Sequence, residues 1–159
     1  MRKFKLYLET SVWCHYYADD APEKVLITKT LFELIEKGVY EIYTSELVVT
    51  EIKKAQEINK IKLQNLIRKY VPIQLEVIPE VYKLADKYIN LKALPHNSHT
   101  DAMHAAITSV YKLDILVSWN YKHLTSPKRR NKISIVNIEY GYNPLLIFTP
   151  QEVMQYAKS

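Results

Sequence analysis

The chain has 159 residues, enough to bury a core within one domain without disulfides or a structural metal. Hydrophobic residues make up 48% and charged residues 25%, which excludes a disordered chain, and the single cysteine, Cys14, excludes an internal disulfide. A net charge of +5 and a pI near 9.1 favour polyanionic partners, while the absence of any membrane-length apolar run or signal-peptide core leads to the expectation of a single cytoplasmic domain over residues 1–159.

In chain order, a first strand is expected at residues 4–8, running into Glu9. A helix over 22–37 follows, with Val25, Leu31, Leu34 and Ile35 on one side, Pro22 suited to its first turn and Gly38 to its stop. A strand is predicted at 40–44, helices at 46–56 and 58–70, a strand at 75–78 and helices at 80–91 and 100–111. Strands at 115–118 and 133–138 and a last helix at 151–157 complete the reading. The apolar stretch 145–148 is open to two readings, a buried strand or an exposed interaction surface. Alternating strands and helices argue for an α/β fold in which helices cover both faces of a mainly parallel sheet, and the unbroken Ile115-Leu-Val117 suits a strand buried on both sides.

Only two glycines occur, Gly38 and Gly141, which excludes a P-loop and a dinucleotide-binding glycine fingerprint. Ligands of open α/β sheets still bind beyond the carboxyl ends of the strands, where Glu9 and Asn120 fall. Glu51 lies within the apolar arc of Leu47, Val48, Ile52 and Ala55, so its carboxylate turns inward and needs a cation, a metal or strong hydrogen bonds; pairing with Lys54 at the helix edge is the plainer reading. Asp101 borders Ala102, Ala105 and Ala106, yet Ser98-His-Thr-Asp101 also matches a capping box. Glu9 could merely end its strand or cap the next helix. Together the three carboxylates suit Mg²⁺ or Mn²⁺, since hard cations prefer oxygen ligands and promote phosphodiester hydrolysis.

The basic residues of 53–54, 60–62 and 68–69 read as solvated helix faces, and those of 122–132 as phosphate contacts. Trp13, Tyr16, Tyr17, Trp119 and Tyr121 flank two of the proposed ligands and either pack in the core or stack on unpaired bases. A zinc site from His96, His99 and His104 is disfavoured, because His99 and His104 project about 140° apart on a helix and no cysteine accompanies them. His104 is expected to bond Asp101, one turn away, and Cys14 to be a small buried thiol.

Four segments resemble a PIN-domain protein of the VapC toxin type, over nearly the whole chain. They are Leu6-Tyr-Leu-Glu-Thr-Ser11, Ser45-Glu-Leu-Val-Val-Thr-Glu51, Thr100-Asp-Ala-Met-His-Ala-Ala106 and Leu116-Val-Ser-Trp-Asn-Tyr-Lys-His123. The resemblance implies a three-layer α/β/α sandwich and a Mg²⁺- or Mn²⁺-dependent ribonuclease. Glu9, Glu51, Asp101 and Asn120 would then be the metal-binding, catalytic positions, with Thr10, Ser11, Ser118 and His104 supporting them. It also implies a homodimer and a small antitoxin partner, for which 145–148 is a candidate surface. Lys122, Arg129 and Trp119 are candidate RNA contacts. Two positions depart from the family pattern: Glu9 replaces an aspartate, and Asn120 replaces an acid, which removes one negative charge and is expected to weaken ion binding. The alternatives are a catalytically impaired PIN-like module that binds RNA or a protein, and a phosphatase or small-molecule hydrolase built on the same carboxylates.

Overall fold

The structure, a computed structural model, describes residues 2–156. Five short strands, β1 (Lys5–Leu8), β2 (Glu41–Ser45), β3 (Ile73–Leu75), β4 (Ile115–Val117) and β5 (Leu146–Phe148), form one sheet in the order β3-β2-β1-β4-β5 with every pairing parallel. Parallel neighbours need crossovers, and the intervening helices supply them: α1 (Thr10–Cys14), α2 (Pro22–Glu36), α3 (Glu46–Lys53), α4 (Glu57–Tyr70), α5 (Pro79–Asn90), α6 (His99–Val110) and α7 (Pro127–Glu139); α8 (Pro150–Tyr156) follows the last strand. This is the expected α/β/α sandwich. Ala157, which the sequence places in the last helix, lies outside the described residues.

The central strand β1 reads Lys-Leu-Tyr-Leu, and its last three residues are fully buried because helices cover both faces. Side chains alternate across the sheet. Tyr7 therefore points to the α6 side, where its hydroxyl meets His104. On the α1, α2 and α4 side, Phe32 gathers Trp13, Tyr16 and Tyr70 at ring separations of 4.8–5.3 Å. Trp13 is thus a core residue, its indole N–H donating to the Leu8 carbonyl.

Helix α6 is buried from Ala102 to Ser109, roofed by α5 and lying on β4. Its three alanines, Ala102, Ala105 and Ala106, are fully buried.

Residues 133–138 are not a strand. They belong to α7, which starts with Pro127 and turns Ile133, Val136 and Asn137 inward while Ile135 and Ile138 stand 54% and 61% exposed. The β-branched run favours a strand locally, but tertiary contacts override it. The buried Asn137 amide donates to Ser109 Oγ and to the Asn143 carbonyl, and its oxygen accepts from Tyr88. The fifth strand is instead drawn from 145–148, with Leu145 and Ile147 buried. Strand β3 covers 73–75, two residues earlier than expected, because Tyr43↔Ile73 and Ser45↔Leu75 set its register on β2.

Candidate metal centre

Strands β2 and β4 flank β1 on opposite sides, so the chain reverses its direction of travel across the sheet between β1 and β4. Crevices at such a point, beyond the carboxyl ends of the strands, are where α/β sheets bind ligands. Glu9 leaves β1 there, its amide donating to the Val117 carbonyl at 3.1 Å, and Ser118 to Asn120 leave β4 beside it.

Glu9 is 6% exposed and its carboxylate is fixed by two hydroxyls: Ser11 donates to Oε1, and Ser118 donates to the same oxygen at 2.8 Å. Both serines also accept backbone amides, Ser11 from Trp119 and Ser118 from Asn120, each at 2.9 Å. The ends of β1 and β4 are thereby tied together. Glu9 does not cap α1 with its side chain.

Glu51 projects from α3, a helix capped by Ser45 through a 3.1 Å bond from the Leu47 amide. Its Oε1 accepts from Thr10 Oγ1 at 2.7 Å and is 2.6 Å from His104 Nε2. His104 has no exposed surface; its Nδ1 lies 2.7 Å from the Tyr7 hydroxyl, which lies 2.7 Å from Ser45 Oγ. A buried polar chain thus runs Glu51–His104–Tyr7–Ser45. The expected partner of His104 was Asp101 on its own helix; the structure gives it Glu51, because Nε2 points across to α3. Burial works against the charged form of His104, but the Glu51 bond and the nearby Glu9, Glu51 and Asp101 charges outweigh it and raise its pKa. For Glu51, burial acts upward, and the bonds from His104 and Thr10 with the Lys54 charge bring its pKa below the ordinary value.

Asp101 is half-buried near the start of α6 and forms no capping box, since Ser98 makes no side-chain cap bond. Instead its Oδ1 accepts from the Asn120 amide nitrogen at 3.1 Å. Burial, then the charge of Glu9, raises its pKa. The Asn120 oxygen is occupied too, accepting from the His123 amide at 3.3 Å and capping a single π-helical turn over Tyr121–Thr125. Turning the Asn120 amide over would place its donor against an N–H and its oxygen against a carboxylate, so both bonds select this orientation. Asn120 therefore presents a donor to Asp101 rather than a free oxygen ligand.

One donor atom each from Glu9, Glu51 and His104 falls in a group whose members all lie within 4.8 Å of one another. The carboxylate oxygens of Glu9 and Glu51, beside the crowded Asp101, suit a divalent cation, while His104, both of whose ring nitrogens are engaged, fixes the Glu51 carboxylate. His96 and His99 are exposed whereas His104 is wholly buried, so the three do not form a zinc site. Of the proposed RNA contacts, Lys122 is exposed two residues after Asn120, with Tyr121 next to it 64% exposed. Trp119 is half-buried, its indole N–H donating to Thr28 Oγ1 at 2.9 Å and Lys24 Nζ over its ring. Arg129 donates to the Ala93 carbonyl at 3.0 Å. Cys14 is half-buried and free, and burial raises its pKa.

The pairing of Thr10 with Glu51 and the Tyr7–Ser45 extension were not foreseen. Thr10 and Glu51 are 41 residues apart, and no local periodicity connects them.

Solved structures share this fold, among them the following three. VapBC2 from Rickettsia felis, bound to a DNA fragment from its promoter, is 16% identical with a TM-score of 0.56, covering 92% of this chain and 98% of that one. DNA-bound VapBC from Salmonella typhimurium is 12% identical with the same TM-score and coverage. VapC20 from Mycobacterium tuberculosis, a toxin that cleaves the sarcin-ricin loop, is 14% identical with a TM-score of 0.53, covering 70% of this chain and 86% of that one. No family model and no curated protein matches the chain. The architecture is the PIN-type α/β/α fold of VapC toxins. Among the described residues no helix is long and apolar enough to cross a membrane.

Proposed function

We propose that the protein is a metal-dependent endoribonuclease of the VapC toxin type. The observation that carries this reading is the convergence of Glu9, Glu51 and His104 donor atoms within 4.8 Å, with Asp101 adjoining, at the strand ends where such a fold binds ligands. When bound there, Mg²⁺ or Mn²⁺ supplies positive charge for the scissile phosphate and lowers the pKa of a water. The chain's own part is to hold Glu9 through Ser11 and Ser118, to hold Glu51 through Thr10 and His104, and to fix Asp101 through Asn120. Asp101 Oδ2, which the Asn120 bond leaves free, is the oxygen that orients the attacking water. Lys122 and Tyr121 offer charge and a stacking face to single-stranded RNA. The reading extends to a cytoplasmic homodimer held in check by a small antitoxin; two of the structural neighbours are VapBC complexes bound to DNA.

The test is incubation of purified, inhibitor-free protein with a pool of RNAs in Mn²⁺, in Mg²⁺ and in chelator, beside Asp101→Asn. Cleavage that requires metal and disappears in the variant is expected. Retained activity in the variant would remove Asp101 from the mechanism.

A second reading, a PIN-like module without turnover that binds RNA or a protein, is favoured by one observation: Asn120 turns its amide nitrogen to Asp101 and its oxygen to the His123 amide, so the fourth position adds no negative charge to the cluster. Folded protein that binds RNA and never cleaves it would select this reading.

A further inference from the structure

A cavity of about 430 Å³ opens where the end of α5, the connection from α5 to α6 and the first turns of α7 meet. Lys92, His96, Arg129 and Lys132 line it together with Leu94 and Pro95, and no carboxylate does. Two separate segments, the α5–α6 connection with Lys92 and His96 and α7 with Arg129 and Lys132, therefore bring basic side chains to one hollow.

Several basic side chains elsewhere have partners. Arg2, Lys60 and Arg130 pair with Asp114, Glu57 and Glu152, while Lys24, Lys29, Lys62, Lys69 and Lys87 lie over aromatic rings. Among the described residues, the side chains of Lys92, His96 and Lys132 have neither a hydrogen bond nor an ion pair. Glu139 lines an adjoining cavity that shares Lys92 and Lys132, yet pairs with neither. The carbonyls at the end of α5 do not explain the lysines, because the backbone amides of residues 91–94 already bond those of Lys87, Tyr88 and Ile89.

The hollow is also held in shape. Arg129 ties α7 to the Ala93 carbonyl, and Lys92 adopts φ +60°, a conformation that disfavours a residue with a Cβ by about 1–2 kcal/mol. The hollow and the metal centre are close along the chain: His96 precedes Asp101 by five residues, a separation of at most about 17 Å, and α7 follows the turn that Asn120 caps.

We propose that this cavity is a second RNA-binding site, a seat for a phosphodiester of single-stranded substrate flanking the cleavage point. It rests on the ribonuclease reading and adds where the strand runs. Lys92 and Lys132 neutralise the backbone charge, and the Arg129 N–H groups not bonded to Ala93 donate to its oxygens.

The experiment is a fluorescence-anisotropy titration of a labelled single-stranded RNA in chelator, over a range of salt concentrations. The proteins are the wild type, Lys92→Gln/Lys132→Gln and, as control, Lys3→Gln/Lys83→Gln, whose lysines are exposed and outside the cavity. Loss of two phosphate contacts should flatten the slope of log K against log salt by about 1.4 in the cavity variant and leave the control unchanged. Equal affinity and slope in the cavity variant would overturn the seat while leaving the nuclease reading standing. RNA unbound by the wild type would overturn both. Full displacement of the RNA by inorganic phosphate at equal ionic strength would make the cavity a free-anion site and overturn its assignment to RNA.

Discussion

Replacing Asp101 by Asn separates the metal reading from a merely structural role without relying on turnover. The side chain keeps its size, and the new amide oxygen still accepts from Asn120, whose nitrogen lies 3.1 Å from Oδ1. What disappears is a negative charge whose ionised form is disfavoured by burial and by the facing Glu9. A carboxyl with its folded pKa above the unfolded one makes the protein lose stability as pH rises from the unfolded pKa through the folded one. In chelator at neutral pH, Asp101→Asn is therefore expected to be more stable than wild type, by about 0.5–2 kcal/mol, the usual size of a single stabilising substitution. At about 2–4 °C per kcal/mol for a chain of this length, that is a rise in Tm of roughly 1–8 °C. Adding Mn²⁺ should raise the Tm of wild type, since an ion that binds only the folded state stabilises it, and should raise the variant's Tm much less. Circular dichroism melts with and without the ion read all four values. A variant less stable than wild type in chelator, or stabilised equally by Mn²⁺, would refute the crowded-carboxylate argument.

Asn120→Asp should tighten Mn²⁺ binding by about 10–100-fold in calorimetry and lower the Tm in chelator, because it exchanges a donor for a second carboxylate against Asp101. Asn137→Ala leaves the buried Tyr88 and Ser109 hydroxyls each short of a partner and should cost about 2–4 kcal/mol in urea unfolding, with no change in Mn²⁺ affinity. The Asp114 carboxyl is held below its usual pKa, first by the Arg2 guanidinium and also by the Lys5 amide, although partial burial acts the other way. With the folded pKa depressed, its stabilisation is present above pH about 4 and is lost as pH falls through the folded pKa, so the stability gap between wild type and Asp114→Asn should narrow in acid.

The apolar runs ending at Glu9 and Asn120 put these two side chains at the carboxyl ends of parallel strands, and the helical arcs bearing Glu51 and Asp101 turn their carboxylates inward. Those features are local: strand alternation, helical periodicity and the order of elements along the chain carry them. Residues 133–138 show where local pattern misleads, since the same β-branched run serves a strand or a helix and the choice falls to Asn137 bonding Tyr88 and Ser109 from other helices. The short β5 went to the sheet edge because β4 offered its free side to whichever later segment could reach it. Partner choice within the site follows the same logic. Periodicity put His104 on the helix of Asp101, but hydrogen-bond geometry across 53 residues gave it to Glu51, and both ends of Asn120 were claimed by groups on different segments. Which residues are polar and inward is a property of neighbours in sequence; which atoms meet is set by how separate elements dock.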